Sequence, residues 1–272
     1  MNNINQEYFA PIFRNYLSNM QIIDCGYWQL PFIPYTFPKY GSAPFKVFYF
    51  GRDTYFWCEK DDDVYRKRPE EYLKDNASYV NVDNMKKDWN KAGSFWGTVA
   101  KLHLQLMTGV YHHSIEELTL DDWQLLERIG YGNLFSLELP ATLKKKKYTP
   151  EGSSVERTEY DDICDLQGYK ALRNLAKPFE NLKTIFSAYG EPDIVFVLSW
   201  TDKDDFFEGL DDYQCQKESY EEGFRSVFLS DSHKTKVIWS SHPSRFSFMR
   251  TNQTEMCKYL CDTANALLNR KK

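Results

Sequence analysis

The sequence lacks the features that mark several large classes of protein. It has no run of about 18 apolar residues, so we expect no segment that spans a membrane. Its first residues, Met1 to Glu7, are polar and do not show the basic-then-apolar pattern of a secretory signal peptide. We therefore expect a protein of the reducing cytoplasm with no membrane partner.

Positive charge is also scarce in this chain. Lys and Arg number 34 against 39 Asp and Glu, which gives a formal net charge of -5. A protein that coats nucleic acid without sequence preference needs a basic face to neutralise phosphates. The charge balance argues against that class of protein but is compatible with a local basic groove.

Metal-binding cysteine patterns are absent as well. The 6 cysteines are scattered, and no two of them form a C-x-x-C pair. Cys257 and Cys261 lie one helical turn apart, a spacing that could hold a metal but that more often places two small residues on one helix face. We expect no iron–sulfur cluster, no structural zinc and no other cofactor.

Aromatic side chains, in contrast, are abundant at 17% of the chain. A ring-rich core accounts for most of them, although rings also stack on nucleobases. The 42% of hydrophobic residues and 27% of charged residues are typical of a globular protein. No repeat and no second core are visible, so we expect one domain over residues 1–272, and a monomer.

Short apolar runs alternate with helical patterns along the chain. The predicted strands are Lys46–Phe50, Tyr131–Phe135, Ile194–Leu198, Val227–Leu229 and Lys236–Trp239. Apolar residues recur at helical spacing in residues 8–17, 83–107, 169–186 and 256–267. Another helix is predicted to begin after Thr119 and to end at Ile129-Gly130.

Strands separated by helices predict a mostly parallel sheet that is covered on both faces. We expect a three-layer α/β/α fold with a central, mostly parallel, four-stranded sheet, to which Val227–Leu229 adds an edge strand. Residues 141–165 contain Lys144 to Lys147 and no apolar period, so they predict an exposed loop insertion.

Polar residues follow three of the predicted strands. Gly51-Arg52-Asp53-Thr54-Tyr55-Phe56 follows the first strand, and Ser240-Ser241-His242-Pro243-Ser244-Arg245-Phe246-Ser247 follows the last. Asn133 lies between them in the chain, within the second strand or at its end. Ligands of parallel sheets bind at the carboxyl ends of the strands. We therefore expect Asp53, Tyr55, Asn133 and His242 to line one pocket, with a gap between Asp53 and His242.

The two polar segments resemble the active-site motifs of uracil-DNA glycosylases, Gly-Gln-Asp-Pro-Tyr-His and His-Pro-Ser-Pro-Leu-Ser. They occur in the order of that family, and Asn133 lies near the place of its base-recognising Asn. The resemblance covers the scaffold from about Lys46 to Phe248. The chain departs from the two motifs at five positions, where Gln, Pro, His, the second Pro and Leu are replaced by Arg52, Thr54, Phe56, Arg245 and Phe246.

The resemblance implies a glycosylase that hydrolyses the N-glycosidic bond of uracil or a modified base in DNA. Asp53 would stabilise the sugar cation, and a neutral His242 would donate a hydrogen bond to the developing oxyanion. Asn133 would pair with the edge of the base, and Tyr55 would exclude thymine. The other expected contacts are Gly51 and Arg52 to the base, and Ser244, Arg245 and Phe246 to DNA, with Phe246 as an apolar wedge.

Two other classes of function fit the same residues. The chain is then either a non-catalytic module that holds a nucleobase, a nucleotide or a protein, or a hydrolase of small nucleotides. The acidic net charge favours a small nucleotide over a DNA-wide surface. A structural interpretation also stays open, because Asp after a Gly turn often caps a helix and Asn beside Gly often forms a turn.

Overall fold

The computed structural model describes residues 2–20, 30–53, 69–77, 80–137, 169–199, 203–219, 225–249 and 251–269. Within these ranges the chain is an α/β protein with eight α-helices and one mixed sheet of seven strands. The strands are β1 (Tyr35–Thr36), β2 (Val47–Asp53), β3 (Ile129–Phe135), β4 (Ile194–Leu198), β5 (Gln214–Ser219), β6 (Arg225–Leu229) and β7 (Lys236–Ser240). The helices are α1 (Gln6–Met20), α2 (Pro69–Ala77), α3 (Val82–Asp88), α4 (Phe95–Thr108), α5 (Leu120–Leu126), α6 (Tyr169–Ala176), α7 (Leu182–Tyr189) and α8 (Gln253–Leu267).

Four parallel strands occupy the centre of the sheet. The strand order is β1-β3-β2-β4-β7-β6-β5, and β3, β2, β4 and β7 run parallel to one another. The sheet is larger than the four strands expected from the sequence, because β1 joins β3 and the β5–β6 pair joins β7, all antiparallel. The predicted strand at Val227–Leu229 is present as β6, but it is not at the edge of the sheet, because β5 pairs with it.

Both faces of the central strands are buried, as their continuous apolar runs require. Val47 and Tyr49 of β2 pack into one apolar cluster, together with residues of α4 and α8. Phe48 and Phe50 point the other way and pack into a second cluster with Leu182 of α7. We call these the first face and the second face of the sheet.

Glycine in β3 makes room for rings on the second face. A Cβ atom on Gly130 would lie 2.1 Å from the ring of Phe48, and one on Gly132 would lie 2.8 Å from the ring of Phe50. Ile129-Gly130 was predicted as the end of a helix, but these residues begin β3. Glycine marks the close approach of a ring at this position and not a helix cap.

The helical pattern over residues 83–107 is divided between two helices. The chain turns at Gly93, whose φ of +70° favours glycine, and Ser94 then caps α4 by accepting a hydrogen bond from the Gly97 N–H. The next helix, α5, begins after Thr119 as predicted, with a reciprocal cap between Thr119 and Asp122. It ends at Leu126, earlier than predicted.

One of the sequence predictions concerns residues outside the ranges that the structure describes. The predicted insertion at 141–165 lies there entirely.

Within the ranges that the structure describes, no helix has both the length and the apolar character needed to cross a membrane.

A buried carboxylate, Glu180, joins three segments at the carboxyl edge of the sheet. It accepts hydrogen bonds from the backbone N–H of Ser136 (2.6 Å) and from the Ser136 hydroxyl (2.7 Å). It also pairs with Lys203 and, at 3.3 Å, with Arg173 of α6. Lys203 donates in turn to the carbonyl of Leu134 in β3. Burial raises the pKa of Glu180, but Lys203, Arg173 and the hydrogen bonds outweigh burial and hold that pKa below its usual value.

We expect Glu180→Gln to lower the free energy of unfolding by about 3 kcal/mol, because the buried Lys203 then keeps Asp205, at 3.5 Å, as its carboxylate partner while the stronger partner is lost. Urea denaturation measures this loss. Glu127→Gln is the matched control, since Glu127 pairs with Lys39 at 2.9 Å on the surface and both side chains are more than a third exposed. That control should cost less than about 1 kcal/mol. Equal losses of unfolding free energy for Glu180→Gln and Glu127→Gln would contradict a special stabilising role for the buried Glu180 cluster.

A neutral histidine lies in the core between α4 and the first face of the sheet. His103 is fully buried, and its Nδ1 lies 3.1 Å from the Tyr49 hydroxyl. Burial, together with the nearby charge of Arg128, lowers the pKa of His103 from 6.5 to about 3. The imidazole is therefore uncharged in the folded protein over the physiological range.

Stability should fall with acid because of this residue. Below pH 6.5 the unfolded chain takes up a proton at His103 that the folded protein does not, so the free energy of unfolding drops by up to about 1.4 kcal/mol per pH unit. The drop ends near pH 3, where the folded imidazole also becomes protonated. His103→Gln should flatten this slope between pH 6 and 4 in urea denaturation. An unchanged slope in the variant would show that His103 titrates normally.

Candidate functional site

The candidate site lies at the carboxyl edge, where β3, β2, β4 and β7 end side by side. Gly51 in β2 pairs with Asn133 in β3, and Asp53 ends β2 opposite Phe135. Because β4 separates β2 from β7, two strand spacings, about 10 Å, separate the ends of β2 and β7. This places the backbones of Asp53 and His242 at one edge with a gap between them.

Two of the predicted site residues lie partly or wholly outside the residues that the structure describes. The backbone of Asp53 is described, but its side chain is not. Tyr55 lies outside the described residues altogether. The geometry of the site is therefore built from Gly51, Asn133, His242 and the side chains that surround them.

Asn133 presents an unsatisfied donor. Its side chain is completely buried on the first face, and its Oδ1 accepts a hydrogen bond of 2.5 Å from the Tyr131 hydroxyl. Its Nδ2 is buried and has no hydrogen-bond partner in the described part of the chain. A buried donor without a partner costs about 1–3 kcal/mol. An acceptor on a ligand, placed against Nδ2, would satisfy this donor.

Gly51 leaves space for this pair of side chains. A Cβ atom at Gly51 would lie 3.0 Å from Asn133 Oδ1, 3.1 Å from the Tyr131 hydroxyl and 3.4 Å from the ring of Phe95. The glycine that begins the first motif therefore allows the Asn133 amide and the Phe95 ring to approach β2. This assigns Gly51 a packing role within the site.

Phe95 connects the two motifs in space. As the first residue of α4, it lies with its ring centroid 5.6 Å from that of Tyr131 and 6.1 Å from that of His242. The Phe95 and His242 rings are nearly parallel, at 22°. The loop before α4 also packs on the second motif, since a Cβ atom on Gly93 would lie 3.0 Å from Ser244 Cα. Helix α4 thus holds His242 on the same side as Asn133.

The hydrogen bonds of His242 define its tautomer. The backbone N–H of Ser244 donates to His242 Nδ1 at 3.2 Å, and the Ser244 hydroxyl lies 2.9 Å from the same nitrogen. A backbone N–H can only donate, so Nδ1 must be the acceptor and the neutral ring carries its proton on Nε2. His242 therefore has a donor on the side of the ring away from Ser244.

Two of the predicted contacts need correction. Strand β2 continues through Asp53, so the alternation of side chains places Arg52 on the second face, opposite Gly51 and Asn133. Arg52 is therefore not beside the Asn133 amide. Phe246 is only 3% exposed and belongs to the core, so it does not project as a wedge toward DNA. Ser244 is exposed and Arg245 half-buried, so both side chains are accessible to a ligand at this edge.

Sequence reasoning missed Tyr131 and Phe95. Tyr131 precedes Asn133 by two residues in one strand, and this period of two places both side chains on one face. That signal was present in the sequence. Phe95 is distant from both motifs in the chain, and only the docking of α4 brings it between them.

The arrangement offers hydrogen-bond donors and an aromatic surface. Asn133 Nδ2 and His242 Nε2 are both donors, and the ring of Phe95 lies beside the rings of His242 and Tyr131. In the described ranges, no group of three or more His, Cys, Asp or Glu side chains is placed to hold a metal ion. The site is suited to a planar ligand that carries acceptors at its edges.

The chain was also compared with known protein families, curated proteins and solved structures. None of the three comparisons finds a match. The geometry of the carboxyl edge is therefore the basis for assigning a function.

Proposed function

We propose that the protein is a glycosylase that hydrolyses the N-glycosidic bond of uracil or a modified base in DNA. The observation that carries this proposal is the buried Nδ2 of Asn133, which has no hydrogen-bond partner among the described residues and lies at the same sheet edge as His242. The Asn133 amide N–H can donate a hydrogen bond to an acceptor at the edge of an extruded base. The two motifs that resemble those of uracil-DNA glycosylases supply these residues.

The chemistry assigns one task to each residue. Cleavage leaves positive charge on the sugar and negative charge on the departing base. The Nε2–H of His242 donates to the base oxygen where negative charge develops, and a preorganised donor needs no rearrangement as the reaction proceeds. The Asp53 carboxylate, at the end of β2, stabilises the sugar cation and orients water. Phe95 offers its ring as a stacking surface for the base.

The proposal extends to the architecture. Two buried faces and four parallel central strands are compatible with a three-layer α/β/α scaffold of the glycosylase type. In this arrangement β1, β5 and β6 are additions at the two ends of the central sheet. Fold and function remain separate claims, since one scaffold supports several activities.

A hydrolase of small nucleotides is the second candidate, and one observation favours it. Phe246, the side chain expected to enter a DNA stack, is buried in the core. A free nucleotide needs no wedge, because its base is already unstacked. The excess of acidic residues also favours a small ligand over a long DNA surface.

The activity test uses uracil-containing single- and double-stranded oligonucleotides, followed by alkaline cleavage at abasic sites. We expect wild-type protein to release uracil. Asp53→Asn should slow turnover far more than it weakens binding, because its charge acts mainly on the transition state. His242→Leu should slow turnover on the order of 10²–10³-fold through loss of the oxyanion donor.

The matched control is Asp211→Asn, on an exposed turn before β5, which should leave the rate unchanged. Release of base from free nucleotides but not from oligonucleotides would select the second candidate. Oligonucleotide binding without turnover, unaffected by Asp53→Asn, would instead identify a non-catalytic module.

A further inference from the structure

We infer that Tyr131 determines the specificity of the site, because its hydroxyl fixes the orientation in which Asn133 meets a base. The inference rests on the proposed function, in which this edge of the sheet binds a nucleobase. It adds a residue that lies outside both motifs and specifies which chemical group of the base faces Asn133.

The contact distance identifies the atom that faces Tyr131. Hydrogen bonds of the O–H···O type span roughly 2.5–3.0 Å, whereas N–H···O bonds span roughly 2.7–3.2 Å. The Tyr131 hydroxyl lies 2.5 Å from the Asn133 side chain, which fits a hydroxyl that donates to the carboxamide oxygen. The amide is therefore held with Oδ1 toward Tyr131.

The surroundings enclose that oxygen. A Cβ atom on Gly51 would lie 3.0 Å from Asn133 Oδ1 and 3.1 Å from the Tyr131 hydroxyl, so both oxygens lie against the backbone of β2. The other end of the amide, Nδ2, is buried and has no partner among the described residues. Asn133 consequently meets its ligand through a donor.

Tyr131 itself is held in place by other rings. Its ring centroid lies 4.5 Å from that of Trp96, 5.3 Å from that of Phe32 and 5.8 Å from that of Tyr35. A tyrosine packed on several sides keeps one rotamer, so its hydroxyl stays at the Asn133 amide when a ligand arrives. The orientation of the amide is thus set before binding.

The chemical consequence is a preference for oxo bases over amino bases. An oxo oxygen on the base accepts a hydrogen bond from Nδ2 and satisfies it. An amino group at that place would set two donors against each other and leave both unsatisfied. The site therefore favours a base with a carbonyl at the edge that faces Asn133, whether pyrimidine or purine.

Dissociation constants for free uracil and free cytosine test the assignment by isothermal titration calorimetry. Wild-type protein should prefer uracil by about tenfold or more. Tyr131→Phe should lose most of that preference, because the amide is then able to turn and offer its oxygen to an amino group. Tyr35→Phe is the matched control, since it removes a hydroxyl from the same group of rings, and it should keep the preference.

Each outcome bears on a different claim. An unchanged preference in a folded Tyr131→Phe variant would overturn the role of Tyr131 and leave the proposed function standing. Failure of wild-type protein to bind either base would overturn the inference, whereas the proposed function is overturned only if no base is released from oligonucleotides or nucleotides. If Tyr131→Phe does not fold, wild-type protein with ¹⁵N-labelled Asn provides the test by NMR. The Asn133 side-chain amide signals should then shift with uracil and not with cytosine, and equal shifts with both would refute the inference.

Discussion

The ion cluster around Glu180 is the interaction on which the geometry of the carboxyl edge depends. A fully buried carboxylate is tolerated only when charged partners and hydrogen bonds compensate it, and here Lys203, Arg173 and Ser136 do so together. These partners come from the end of β3, from α6 and from the segment after β4. The cluster therefore fixes the strand end directly after Asn133, so that the amide is held by a backbone that cannot easily move.

On the backbone that the Glu180 cluster holds in place, the candidate site contains a buried polar group with an energetic cost, the Asn133 side-chain amide. Asn133 Nδ2 loses its interaction with water on folding and gains no protein partner among the described residues. A cost of about 1–3 kcal/mol is tolerable when the surrounding core is stable, and an acceptor on the proposed ligand would recover it. The donor of His242 is likewise oriented in advance, because the hydrogen bond from the Ser244 N–H fixes the tautomer of the ring. Preorganised donors of this kind stabilise developing negative charge without rearrangement.

The sequence predicts the centre of the fold better than its periphery. The apolar runs at Ile194–Leu198 and Lys236–Trp239 identify buried strands because a strand covered on both faces must be apolar throughout. Strand β5 has the polar sequence QCQKES, which offers no such signal. The helix over residues 83–107 was predicted as one element because the apolar spacing continues across Gly93, where the chain in fact turns.

The sequence predicts which residues of the candidate site share one edge of the sheet, but it does not predict the direction of their side chains. Asn133 and His242 lie at one edge because parallel strands end together. The face on which Arg52 lies depends on how far β2 extends, and the strand runs past its predicted end at Phe50 to Asp53. The burial of Phe246 depends on tertiary packing that a motif does not encode.

The most direct test of the central claim is a crystal structure of Asp53→Asn bound to a uracil-containing oligonucleotide. The account predicts an extruded base at the carboxyl edge, with an oxo oxygen within about 3 Å of Asn133 Nδ2 and its ring against Phe95. A base bound elsewhere, with Nδ2 still unpartnered, would contradict it.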